Sequence, residues 1–133
     1  LGLLALAAPA AADTALLGEL RVQAPDADPK VLALALEARD CAKDAAPDAE
    51  RLAVIDYSRP STEPRLWVFD LAARKLLFAE YVAHGRGSGE NLATAFSNRN
   101  GSHQSSLGLF VTAETYQGGN GYSLRMDGLE PGV

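Results

Sequence analysis

From Arg51 onward the sequence consists of five short apolar runs, each closed by turn-forming residues, and this punctuation constrains the fold more than any other feature. Leu52–Tyr57 ends ahead of Pro60 and Pro64, and Arg65–Asp70 (R-L-W-V-F-D) carries the branched and aromatic side chains that strands favour. Leu71–Arg74 turns into a third run, Lys75–His84, so that Asp70–Lys75 reads as a hairpin loop. Leu107–Glu114 and Tyr122–Met126 complete the set, separated by Q-G-G-N-G at Gln117–Gly121, where glycine and asparagine tolerate positive φ. Short strands with turns between them predict an antiparallel sandwich or barrel.

Upstream the period is helical. Asp13–Val22 predicts a short helix with Leu16, Leu17 and Leu20 on one side, and Ala24–Asp28 a Pro/Asp linker. Asp28-Pro29 reads as an N-cap followed by a first-turn proline, whose missing N–H costs nothing there. Val31, Leu34, Ala35, Ala38, Cys41, Ala42 and Ala45 then recur at helical spacing, up to Pro47. That stripe needs a surface to pack on, and the sheet that follows supplies one. The expected fold class is mainly β with N-terminal α-helices: a helical segment over 13–50 and a β-domain over 51–133.

Leu1–Ala12 is uncharged and rich in leucine and alanine. It is shorter than the roughly 20 residues a bilayer span needs. It reads as the remnant of a signal peptide, with Ala10 and Ala12 ahead of a cut before Asp13, against the alternative of an alanine-rich helix. The expectation is an exported protein of the periplasm or cell envelope, with no integral membrane span in the mature chain.

A length of 133 residues suits one domain, and a hydrophobic content of 47% suffices for a core. The net charge of −5 is uneven: residues 13–50 hold 9 acids and 4 bases, residues 51–133 hold 8 of each. No basic cluster is present to neutralise phosphates, which argues against nucleic acid. A single cysteine, Cys41, excludes an internal disulfide, and with His84 and His103 it lacks the spacing of a structural zinc site, so no metal is expected.

The chemistry-bearing stretch is His84–Gly108: H-G-R-G-S-G, then F-S-N-R-N-G-S, then S-S-L-G. Small polar loops on a rigid scaffold are where functional groups usually sit. A dinucleotide fingerprint fails because Glu90 stands where glycine is required, and a P-loop fails for want of a lysine. Ser88 has Arg86 and Glu90 where a nucleophile elbow needs glycines. Asn100-Gly101-Ser102 matches a glycosylation acceptor but is first of all a turn. Cys41 falls on the helical stripe and reads as a buried, inert thiol. His84 reads either as a strand-end histidine bonded to loop backbone or as a groove residue, and His103 as a solvated loop residue. Trp67 and Phe69 read as core; Arg125 and Asp127 read as a surface pair.

Taken in order, V-I-D-Y-S-R-P-S, R-L-W-V-F-D-L, V-A-H-G-R-G-S-G, F-S-N-R-N-G-S, S-S-L-G-L-F and G-Y-S-L-R-M-D-G-L-E-P-G resemble the bacterial murein L,D-transpeptidases, in their YkuD-related branch. The resemblance covers about Leu52 to Val133, more weakly the helices before. Ser105–Phe110 stands where the wider family carries a Thr-Pro-x-Gly-x-Phe-like segment. The resemblance implies peptidoglycan stem peptides as partner and substrate, a cysteine thioester mechanism and no cofactor. It also implies a His-Gly pair and a Ser-x-Gly-Cys-Pro-type segment C-terminal to the last motif matched here. Neither occurs, so no catalytic residue is expected within 1–133 and the chain is expected to be an inactive fragment. His84, Gly85, Ser88, Asn98, Ser105 and Ser106 are then substrate-cleft candidates that shape or brace the groove. The rival readings are a non-catalytic exported β-domain that binds cell wall or another partner, and a serine hydrolase using Ser88 or Ser106.

Overall fold

A computed structural model describes residues 11–130, so the signal-peptide reading of 1–12 lies outside the described residues except for Ala11 and Ala12, which open the first helix. Two helices, α1 (Ala11–Gln23) and α2 (Pro29–Cys41), precede five strands: β1 (Arg51–Ile55), β2 (Leu66–Asp70), β3 (Lys75–Glu80), β4 (Phe110–Gly118) and β5 (Gly121–Gly128). The strands form two antiparallel sheets, one of order β1-β2-β3 and one of β4-β5. The fold is thus mainly β with N-terminal helices.

Asp28 caps α2 as its sequence suggests. Its backbone is extended, its carboxylate accepts from Lys30 N at 2.8 Å, and Pro29 fills the first turn. The inward face of α2 differs from the expected stripe. Leu32 and Leu36 are buried with Val31 and Ala35 beside them, whereas Leu34 is 64% exposed. Two of its three leucines turn inward, where each fully buried leucine gains about 1.5–3 kcal/mol while alanine gains far less. It also stops at Cys41, where Ala42 N closes a tight final turn on Arg39 O, so Ala45 never joins the face.

Leu16 and Leu20 of α1 meet Leu32 and Leu36 over Val54, Trp67 and Phe69 of the three-stranded sheet, forming one core. Trp67 and Phe69, at 2% and 0% exposure, are the core residues that the alternation in β2 predicts. Strand β3 ends at Glu80 rather than His84. Arg65 N bonds Glu80 O, and beyond that rung Val82 and His84 serve a side chain instead of the ladder. Strand β4 starts at Phe110 rather than Leu107, since Gly108 adopts φ +121 and breaks the extended run.

The opposite face of the sheet is apolar too. Register places Ala53, Ile55, Leu66, Val68 and Phe78 on it, with Ile55 38% and Phe78 57% exposed. The β4–β5 hairpin turns through Gly119-Asn120 and exposes Tyr122, Leu124 and Met126. Arg125 does not pair with Asp127. Its Nε lies 3.0 Å from the Glu114 carboxylate, and its guanidinium stacks 4.5 Å above Tyr116. The register brings Glu114 beside it and sets Asp127 opposite Val111.

Candidate functional site

The loop system rests on a buried cation. Arg65 stands one residue ahead of β2 and is fully buried. Its Nε and Nη2 donate to Val82 O at 3.0 and 2.7 Å, Nη1 donates to Arg59 O at 2.9 Å, and Nη2 donates to His84 Nδ1 at 2.8 Å. The plane stacks 5.0 Å from the Tyr57 ring, which itself meets Phe96 at 5.7 Å. Among the described residues it has no carboxylate partner: Asp56, also buried, accepts from Ser58 N and Ser58 Oγ. A guanidinium only donates, so His84 Nδ1 must accept and the ring proton sits on Nε2, 3.0 Å from Gly89 O. Arg65 thereby fixes the imidazole, and the imidazole fixes the far end of the glycine loop.

That loop is stitched to residues 97–106. Gly87 N donates to His103 O at 2.8 Å, Gly85 N to Ser105 Oγ at 2.8 Å, and Ser105 N to Ser88 Oγ at 2.8 Å. Ser105 O accepts from Ser97 N, and Ser106 Oγ donates to Ser97 O at 3.1 Å. Ser88 O accepts from Thr94 N and Ala95 N, closing the connection between the two loops. The approach is too close for side chains: a Cβ on Gly85 would overlap His103 O, and one on Gly87 would stand 2.8 Å from Ser102 O.

Five of the six sequence-derived candidates, His84, Gly85, Ser88, Ser105 and Ser106, therefore meet in one seam. Asn98 stands exposed without a side-chain bond among the described residues. Ser88 is fully buried with its hydroxyl accepting from an amide, Ser106 bonds a carbonyl, and neither contacts an imidazole. Asn100-Gly101 forms the expected turn, with Ser102 N bonded to Arg99 O and Gly101 at φ +78.

Cys41 corrects the sequence reading: it is exposed, not buried, because it lies at the end of α2 beyond the Leu32/Leu36 face. Its Sγ reaches only Glu37 O at 4.0 Å, while His84 and His103 bond to Arg65 and Arg86. Among the described residues no imidazole is bonded to it. Among the described residues no group of three or more histidine, cysteine or carboxylate side chains could hold a metal, and no helix is long and apolar enough to cross a membrane. Sequence reasoning missed Arg65 and Tyr57. The available signal was a charged residue opening an otherwise apolar strand, R-L-W-V-F.

Residues 23–133, helix α2 included, match the family described as the L,D-transpeptidase catalytic domain. The chain belongs to that family. No curated protein and no solved structure matches it. L,D-transpeptidase domains act on peptidoglycan in the cell envelope, so the buried Arg65, the His84 tautomer and the stitched serine-glycine seam are parts of a peptidoglycan transpeptidase-like domain.

Proposed function

We propose that this chain supplies the scaffold and the substrate-cleft loops of an exported cysteine L,D-transpeptidase, and that the nucleophilic cysteine and its histidine lie outside residues 1–133. In this reading residues 13–50 cover one face of the sheet and residues 51–133 carry the cleft. His84–Gly89 and Asn98–Ser106 line the groove for a peptidoglycan stem peptide. The observation that carries the reading is the seam itself. Two loops are joined by Ser88 and Ser105 on a support made by the buried Arg65 and His84. Cys41 does not fit the nucleophile's role, because its sulfur stands at a helix end with no imidazole bonded to it.

The chemistry proposed is acyl transfer. A thiolate attacks the carbonyl of the third stem-peptide residue, the C–N bond to the terminal D-alanine breaks, and D-alanine leaves with a proton from the histidine. The amine of a second stem peptide then displaces the thiolate to form the cross-link; water in its place gives a carboxypeptidase. Two measurements test this. Translation of the reading frame past Val133 should yield a His-Gly pair followed by a Gly-Cys pair. Mass spectrometry with a carbapenem should leave residues 1–133 unmodified and add one acyl group to that second cysteine. A carbapenem adduct on Cys41 would refute the assignment.

A further inference from the structure

Within the seam, one pair of side chains bridges the two loops and still keeps open donors. Arg86 and His103 project from the two stitched loops on either side of the Gly87 N to His103 O bond. Arg86 Nη2 lies 2.9 Å from His103 Nε2, and both side chains are exposed. A guanidinium can only donate, so Nε2 accepts and the imidazole keeps its proton on Nδ1. Nδ1–H makes no bond among the described residues, and neither do the remaining N–H groups of Arg86. Arg86 also lacks a carboxylate partner there, unlike Arg39, Arg51, Arg59, Arg74 and Arg125, each of which has one.

Among the described residues His103 is one of two non-glycine residues at positive φ, at +56°, a conformation that costs an L-residue about 1–2 kcal/mol. The strain sits where its carbonyl receives Gly87 N–H and its ring receives Arg86. The local charge is favourable as well. Residues 84–106 carry Arg86 and Arg99 against the single acid Glu90, in a chain of net charge −5.

We infer that Arg86 and His103 form a carboxylate-recognition element, in which the free guanidinium N–H groups and the imidazole Nδ1–H receive a carboxylate of the bound peptide. The inference rests on the reading of these loops as a peptide cleft and adds to it the group recognised. A planar fork with open donors matches a carboxylate, and a second donor from the facing loop fixes its orientation. Stem peptides present free carboxylates on their D-glutamate, diaminopimelate and D-alanine residues.

The test is an NMR titration of the 15N-labelled full-length protein, its nucleophilic cysteine replaced by alanine, with an L-Ala-γ-D-Glu-diaminopimelyl-D-Ala tetrapeptide and with the same peptide carrying all carboxyls as amides. The free acid should move the Arg86 Nε and His103 ring nitrogen signals and bind about tenfold or more tightly than the amide, the range of one charge-assisted contact. Arg86→Gln should remove that preference while leaving backbone amide shifts outside the loops in place, and Arg86→Lys should keep part of it. Equal binding of acid and amide, or an acid preference that survives Arg86→Gln, overturns the carboxylate role and leaves the peptide cleft standing. Binding of neither peptide overturns both.

Discussion

Replacing Arg65 with lysine tests whether the loops depend on the geometry of the buried guanidinium or only on its charge. Arg65 serves three acceptors: Val82 O through two nitrogens, Arg59 O, and His84 Nδ1. A lysine has one nitrogen on a flexible stem and cannot span the fork that these acceptors define. At least one of them is left bare in a site without solvent, at about 1–3 kcal/mol, and loss of stacking on Tyr57 adds about 0.5–2 kcal/mol. The expected destabilisation is about 2–4 kcal/mol. Methionine leaves acceptors bare too but removes the desolvated charge, so Arg65→Met should cost no more than Arg65→Lys. Trp67 is the only tryptophan, buried at 2% exposure with the Arg59 guanidinium 5.5 Å from its ring, so its fluorescence reports urea unfolding directly. Imidazole 15N shifts of His84 give a second readout, since loss of the fork releases the ring from a single tautomer. A lysine variant within about 0.5 kcal/mol of the parent, with the Nε2–H tautomer intact, would refute the reasoning.

Ser88→Ala removes the acceptor for Ser105 N inside the seam and should cost about 1–3 kcal/mol. Faster hydrogen exchange at the Ser105 amide is the expected sign, and unchanged exchange would contradict it. The hydrogen bond from Lys43, then that from Arg39, holds the Asp40 carboxyl below its ordinary value. A carboxyl lowered on folding stabilises the fold above its unfolded value, and the contribution disappears as pH falls through the folded value. The pair is solvent-screened, so Asp40→Asn should cost less than about 0.5 kcal/mol at neutral pH and nothing in strong acid, checked by urea melts at both. Phe78 is 57% exposed on the outer face of the sheet, the face that also carries Ile55, Leu66 and Val68. Phe78→Lys should raise the concentration at which light scattering detects aggregates; no change would mean that this face does not drive association.

Much of the architecture was legible because it depends on local chemistry. Asp28-Pro29 starts α2 since a carboxylate beside a proline satisfies a helix N-terminus wherever it lies. Alternation around Trp67 and Phe69 marks a buried face because side chains in a strand point to opposite sides. The outward turn of Leu34 and Cys41 was not legible. Period alone allowed two neighbouring stripes on α2, and the choice was made by what the sheet and α1 covered. The ends of β3 and β4 shifted for a similar reason, one claimed by a side chain distant in sequence and the other by the φ of Gly108.

The sequence by itself carried the family resemblance in the order of its motifs, and it set the order of elements and the stretch in which the candidate site lies through composition, period and turn residues along the chain. Tertiary structure alone decided what that stretch does with its groups. The burial of Arg65, the tautomer of His84, the use of Ser88 as a clasp and the openness of Arg86 and His103 all depend on contacts between segments up to 20 residues apart. Such contacts are set by packing and solvent exclusion, which no local pattern encodes.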